Sequence, residues 1–410
     1  MKKFFALLLS LAMVLALVAC GQKDPTPDTP DTPDDPQTKV EYKVAMITDY
    51  GDITDQSFNQ TTYEACKAFA EDNSIEFSYF RPAGDNTADR VAMIEKAVDE
   101  GFNVIVMPGY AFGGAIVEAA PEFPDVKFIA LDVAAGDLLE TAVAKAGEAY
   151  DYTPENWDLN KYVDMSNVYC AVYQEELCGY MAGYAAVKLG YKNLGFLGGM
   201  SVPAVVRYGY GFVQGVDAAA ADLGLTDVKL NYIYGGQFFG DADITAVMDT
   251  WYQGGTEVVF ACGGGIYTSA VDAAKKVGAK VIGVDVDQAG VIAKYAGVDG
   301  MTVTSAMKGL YPATYDTLTD VIVNGNWEKY VGKIETLGLV SGTDPEANYV
   351  QIPMGDGTQW SDSFTQDDYK AMVKDMFDGK ITVSNNTSSD VTAASFATVI
   401  TVDDQGSIKG

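Results

Sequence analysis

The chain has no histidine, and that single absence removes several chemistries. A Ser-His-Asp triad, a histidine general base and a histidine metal site cannot be built from it. Basic residues are scarce too: 27 Lys and Arg stand against 57 Asp and Glu, a formal net charge of −30. A surface of that sign repels nucleic acid and anionic lipid headgroups, so neither is expected as a partner. No two of the five cysteines have CxxC spacing, which excludes the common zinc and dithiol motifs. Cys66, Cys170, Cys178 and Cys262 read as small buried apolar residues, with a Cys170–Cys178 disulfide as the alternative. Phosphate cradles are also missing. Gly209-Tyr210-Gly211-Phe212-Val213-Gln214-Gly215 has the wrong spacing for a dinucleotide loop and falls inside an expected helix, where small residues serve packing. Asp285-Val286-Asp287 has no P-loop beside it to make it a phosphatase nucleophile. No catalytic residue, metal or cofactor is expected.

What is present begins with an address. Lys2 and Lys3 precede an apolar run from Phe4 to Val18, broken only by Ser10 and ending in Leu17-Val18-Ala19-Cys20. A charged start, a short apolar stretch and a small residue at the cut describe a secretory signal peptide over 1–19. The run is shorter than the roughly 20 residues of a spanning helix. Its leucine-small-small-cysteine ending resembles a bacterial lipobox, which implies acylation of Cys20 and a durable anchor on the extracytoplasmic face of the membrane. Residues 20–39 then form a Pro/Asp-rich tether, with prolines at 25, 27, 30, 33 and 36. Proline fixes φ and the aspartates repel one another, so at ~3.1 Å per residue the tether could lift a domain roughly 50 Å from the bilayer. No later segment is long and apolar enough to cross it.

Hydrophobic residues make up 48% of the chain, ample for a packed core, and the length beyond the tether suggests two lobes. Short continuous apolar runs alternate with helical spacing. Strands are expected at 43–48, 75–79, 104–107 and 127–131, then at 168–172, 194–197, 229–234, 258–261 and 281–284. Helices fall between them, and a further helix is expected at 366–377. Such runs argue for parallel sheets covered on both faces. The expected class is α/β with two doubly wound parallel-sheet lobes joined by a hinge. The first lobe takes 40–167 and about 304–330, the second 168–303 and about 331–402. The stretch 136–166 breaks the rhythm and reads as an insertion.

Ligands in doubly wound sheets sit beyond the carboxyl ends of the strands. Asp49 stands at the first such end, and Ser57 or Asp55 could cap the following helix. Phe58, at the helix start, offers a flat face for stacking. Tyr110 lies in Pro108-Gly109-Tyr110-Ala111-Phe112-Gly113-Gly114, where glycines permit close backbone approach or simply make a turn. Phe238 and Phe239, Gly264 in Cys262-Gly263-Gly264-Gly265, Asp285, and Lys308 complete the strand-end set. One lysine facing aspartates, with aromatics from opposite lobes, suits a planar ring attached to a sugar.

The series Val44-Ala45-Met46-Ile47-Thr48-Asp49 and Asp55-Gln56-Ser57-Phe58-Asn59-Gln60 resembles the opening of the basic membrane protein family of lipoproteins. That family includes receptors of the purine nucleoside receptor A type. The likeness continues through Pro124-Asp125-Val126-Lys127-Phe128, Tyr173-Gln174-Glu175-Glu176, Gly179-Tyr180-Met181-Ala182-Gly183-Tyr184, Ile282-Gly283-Val284-Asp285-Val286-Asp287-Gln288 and Thr304-Ser305 with Lys308. It spans roughly residues 44–323. The resemblance implies a type I periplasmic-binding-protein fold and a monomer that delivers a nucleoside to an ABC-type permease. It also implies roles: Asp49 and Asn59 on the base, Phe58 and Phe239 (or Phe238) around it, Asp285 and Lys308 on the ribose, and Gly264 in close backbone approach. Two departures stand out. Gly114 replaces an acidic residue, and the Gln237-Phe238-Phe239 stretch is one residue longer than the family's pattern. A sugar receptor and a ligand-sensing lipoprotein are the alternatives on the same fold.

Overall fold

The computed structural model describes residues 41–409, so the signal peptide, Cys20 and the tether lie outside the described residues. The first lobe opens with β1 (Lys43–Ile47), α1 (Phe58–Asn73), β2 (Glu76–Phe80) and α2 (Thr87–Asp99). It continues through β3 (Val104–Pro108), α3 (Gly113–Ala119), β4 (Lys127–Leu131), α4 (Ala135–Lys145), α5 (Leu159–Tyr162) and β5 (Val168–Tyr173). The second lobe carries α6 (Glu175–Lys188), β6 (Asn193–Gly198), α7 (Pro203–Asp222), β7 (Lys229–Tyr234) and α8 (Ala242–Gln253). There follow β8 (Val258–Cys262), α9 (Tyr267–Val277), β9 (Lys280–Asp285), α10 (Ala289–Ala296) and β10 (Thr302–Lys308). The chain then passes through α11 (Leu310–Leu318), β11 (Ile334–Leu337), β12 (Val350–Gln351), α12 (Gln366–Phe377) and β13 (Thr401–Ser407).

One sheet has the order β11-β5-β4-β3-β1-β2 and the other β12-β10-β9-β8-β6-β7-β13. Every pairing is parallel except that of the two-residue β12 with β10. Alternate residues of one strand feed different cores: Val44 and Met46 join one apolar cluster, Ala45 and Ile47 another. Helices therefore cover both faces, as continuous apolar strands require. α6 and α7 lie close enough that a Cβ on Gly211 would sit 2.1 Å from the Glu176 carbonyl oxygen. The glycines of that stretch are thus packing residues. The four described cysteines are free and buried. Among the described residues no helix is long and apolar enough to cross a membrane.

Three expectations are corrected. The segment 168–173 is β5 and belongs to the first sheet, where Phe128 is opposite Val168. The segment 304–308 lies in β10 of the second sheet, with Ser305 opposite Gly283, and β11 returns to the first sheet with Ile334 opposite Cys170. Strand composition does not carry these memberships, because only pairing decides which sheet a strand joins. The chain consequently crosses between lobes three times: after β5, after β10 and after β11. Thirdly, 136–145 is no insertion. It lies in α4, an ordinary crossover helix between β4 and β5 that buries Leu138, Leu139, Ala142 and Val143. Only the stretch from about residue 146 to 166 is irregular, with short helical turns.

Candidate functional site

The strand ends of both lobes meet around a cavity of about 400 Å³, within the range of small-molecule sites. All nine residues singled out in the sequence, Asp49, Phe58, Asn59, Tyr110, Phe238, Phe239, Gly264, Asp285 and Lys308, line it. Asp132, Ser57 and Tyr208 belong to the same assembly through their hydrogen bonds and contacts.

Asp49 directly follows β1 and Thr48. Its Oδ1 accepts from the backbone N–H groups of Tyr50 and Gly51, both at 2.7 Å, and from Asn59 Nδ2 at 3.4 Å. Burial raises its pKa above the usual carboxylate range, against the lowering pull of those N–H groups and of Arg90. Gly109 is what lets the neighbouring loop come so close. Its φ is 126°, and a Cβ there would lie 3.0 Å from Asp49 Oδ2. Asn59 is the second residue of α1 and donates to both Asp49 and Asp55, the latter at 3.2 Å. Those two carboxylates orient the amide, so its Oδ1 is left a buried acceptor with no hydrogen-bond partner among the described residues.

The N-terminus of α1 is held by Asp55, one of its two expected caps. Asp55 supplies the acceptors, taking the N–H groups of Ser57, Asn59 and Gln60. Burial, partly offset by those N–H groups, pushes its pKa up to about 6. Ser57 makes no cap with its side chain. Its hydroxyl donates instead to Asp285 Oδ2 at 2.5 Å, across the lobes. Gln288 Nε2 makes a second crossing to the Gln56 carbonyl oxygen at 3.1 Å.

Asp285 ends β9 with φ 65°, a left-handed conformation uncommon outside glycine that turns its carboxylate into the site. It also accepts from Tyr208 Oη at 3.3 Å. Burial raises its pKa, opposed by Lys308 and by the Ser57 bond. Lys308, at the end of β10, is buried among three carboxylates: Asp132 at 2.5 Å, Glu175 at 3.5 Å and Asp285 at 3.8 Å. Burial works against its charge, but those three groups prevail and hold its pKa above the ordinary lysine value. The ammonium also lies 4.7 Å from the centroid of the Phe58 ring, a cation–π distance. Glu175 is shared with Arg207, whose Nε donates to it at 2.7 Å.

The remaining wall is aromatic and glycine-rich. Phe238 packs on Gly199 and Gly263, where an added Cβ would meet its ring at 2.4 and 2.8 Å. Phe239 is 57% exposed and is tied by its backbone to Gly265. Tyr50 and Tyr110 reach across the cleft to Met200 Sδ at 3.5 and 3.6 Å. Gly114 lies away from the cavity, between Thr87 and Thr141, where a Cβ would come within 2.9 Å of both hydroxyls. A larger residue there would collide with that packing, so its loss of an acid is not a loss at the cavity wall.

Asp132, Ser57, Glu175 and Arg207 escaped the sequence reading as site residues. Asp132 had a usable signal: like Asp49, it is the first carboxylate after an apolar strand. The others are placed by inter-element contacts that no local pattern carries.

Two parallel-sheet lobes, three crossings and a cavity at facing strand ends define the periplasmic-binding-protein fold. A solved solute-binding protein of an ABC transporter system from Aeropyrum pernix K1 shares it, with TM-score 0.63 at 18% identity over 85% of this chain and 95% of that one. The chain belongs to the Bmp family, described as "ABC transporter substrate-binding protein PnrA-like", whose family model matches residues 42–343. Among its relatives is a protein of Lactococcus lactis subsp. cremoris named "ABC transporter nucleoside-binding protein BmpA". The two are 26% identical, with 92% of this chain and 96% of that protein covered. An uncharacterized lipoprotein of Pyrococcus abyssi is likewise 26% identical, over 74% of this chain and 69% of its own length. The protein is therefore an ABC transporter substrate-binding protein, with a small-molecule ligand and a permease as partners.

Proposed function

We propose that the ligand is a nucleoside, with purine nucleosides favoured, and that the chain is no enzyme and uses no cofactor. The observation that carries this reading is the division of labour around the cavity. Phe58 and Phe239 offer ring faces, and Asp49 with Asn59 offers acceptors for base N–H groups. Asp285, Asp132 and Lys308 gather where a sugar's hydroxyl pair could be both accepted from and donated to. A free sugar would use the charged cluster and leave two aromatic faces and the Asp49–Asn59 pair idle. The name of the Lactococcus lactis relative points the same way.

In this reading the lobes close over the ligand and exclude water, which strengthens each polar contact. Cys20 carries the lipid and the tether keeps the cleft near the extracytoplasmic face, where a monomer meets its permease. The lipoprotein name of the Pyrococcus abyssi relative supports the anchor. Ligands that bind only the folded state raise its melting temperature with concentration. A thermal-shift panel should therefore show inosine, guanosine and adenosine stabilising the protein and ribose or arabinose leaving it unchanged. No shift with any nucleoside at millimolar concentration would sink the proposal.

A further inference from the structure

Residues 401–409, which lie outside the family match ending at residue 343, touch the loop that carries Phe238 and Phe239 into the ligand site. β13 adds to the edge of the second sheet beside β7, with Thr401 opposite Lys229 and Ser407 opposite Tyr234. The Ile408 N–H then donates to the Tyr234 carbonyl oxygen at 2.8 Å. The tail thus ends where β7 ends, at the loop that carries Phe238 and Phe239.

There Lys409 forms an ion pair with Asp241 and donates to Gln237 Oε1 at 2.8 Å. With its oxygen so engaged, the Gln237 amide turns its Nε2 to the Phe239 carbonyl oxygen at 2.9 Å and to Asp241 Oδ2 at 3.1 Å. Asp241 Oδ1 meanwhile accepts the Ile244 N–H at 3.0 Å and caps α8. Tail and loop are in direct contact at Gly236, whose φ is 79° and where a Cβ would lie 2.7 Å from Lys409. Phe239 itself is more than half exposed, so its position depends on its backbone.

We propose that the C-terminal strand is a clamp on the aromatic wall of the ligand site, with Lys409 as the positioning residue for Phe239. In its ligand consequences this rests on the nucleoside reading. The Lys409–Asp241 pair is partly exposed, and such pairs add little to global stability. Its effect is local: it fixes the loop through Gln237, so that a ring face is already placed when the ligand arrives.

The test compares wild type, Lys409→Ala and Lys409→Arg in the full chain. Hydrogen–deuterium exchange over 236–241 should be about tenfold faster in Lys409→Ala, a local opening, and largely restored in Lys409→Arg. Inosine affinity should fall by a similar factor with the melting temperature little changed. Unaltered exchange in Lys409→Ala overturns the clamp, whatever the ligand. Faster exchange with unaltered inosine affinity overturns Lys409 as a positioning residue. If the wild type binds no nucleoside, the nucleoside reading fails and exchange alone decides the clamp.

Discussion

Ser57 Oγ donates to Asp285 Oδ2 at 2.5 Å, joining the first helix of one lobe to the last residue of β9 in the other. It is a contact that exists only when the lobes are together. A hydrogen bond to a carboxylate contributes about 1.5–3 kcal/mol. We predict that Ser57→Ala weakens ligand binding by roughly tenfold or more, mainly through faster release, since the closed state loses a strut. Stopped-flow dissociation checks it. An unchanged release rate would mean that the bond does not report on closure.

Phe58→Ala and Phe239→Ala should each reduce affinity for nucleosides while leaving the fold intact. Aromatic pairs contribute about 0.5–1.5 kcal/mol beyond their buried area, so losses of several-fold to a hundredfold are expected. Affinity for a free sugar should not move. Equal losses for ring-bearing and ring-free ligands would show that neither residue faces the base.

Lys308 is the buried cation among Asp132, Glu175 and Asp285. Removing one partner of a buried charge cluster leaves uncompensated carboxylates, at about 3–5 kcal/mol. Lys308→Met should therefore destabilise the protein by that order in urea denaturation. The double variant Lys308→Met/Asp285→Asn should be less destabilised than the sum of its parts. Strict additivity would contradict the coupling.

Carboxylates with raised pKa values set a pH dependence. Burial pushes Asp137 and Glu176 each up to about 7 and Asp55 to about 6. The folded state then binds more protons than the unfolded state between the ordinary carboxylate range and those values. Stability from these groups is full below about pH 4 and is lost as pH rises through about 6 to 7. Asp137→Asn keeps the acceptor that takes the Ala134 N–H and should flatten the pH slope of stability by up to about one proton. A slope identical to wild type would mean that Asp137 is not protonated in the fold near pH 6.

Much of this was legible in the chain. The central first-lobe strands β1, β3 and β4 follow their apolar runs closely, because burial on both faces leaves a strong local signal, and α12 follows the spacing of its one buried face. Asp49, Phe58, Asp285 and Lys308 were legible as strand-end or helix-start residues, a rule of the fold rather than of any motif. What stayed hidden depends on pairing across distance. β5 and β10 join different sheets, and nothing in either strand's own residues says which. Ser57 reads as one of two helix-cap candidates until Asp285, 228 residues away, is seen to accept its hydrogen bond. Lys409 carries no local signal, because the loop it ties lies beside β13 only through sheet order.

The most direct test of the central claim is isothermal titration of the purified protein with inosine, hypoxanthine and ribose in parallel. We predict one-to-one binding of inosine, with base and sugar alone weaker by on the order of a hundredfold, since each engages only part of the cavity lining. Tight binding of ribose with no heat from any nucleoside would contradict it.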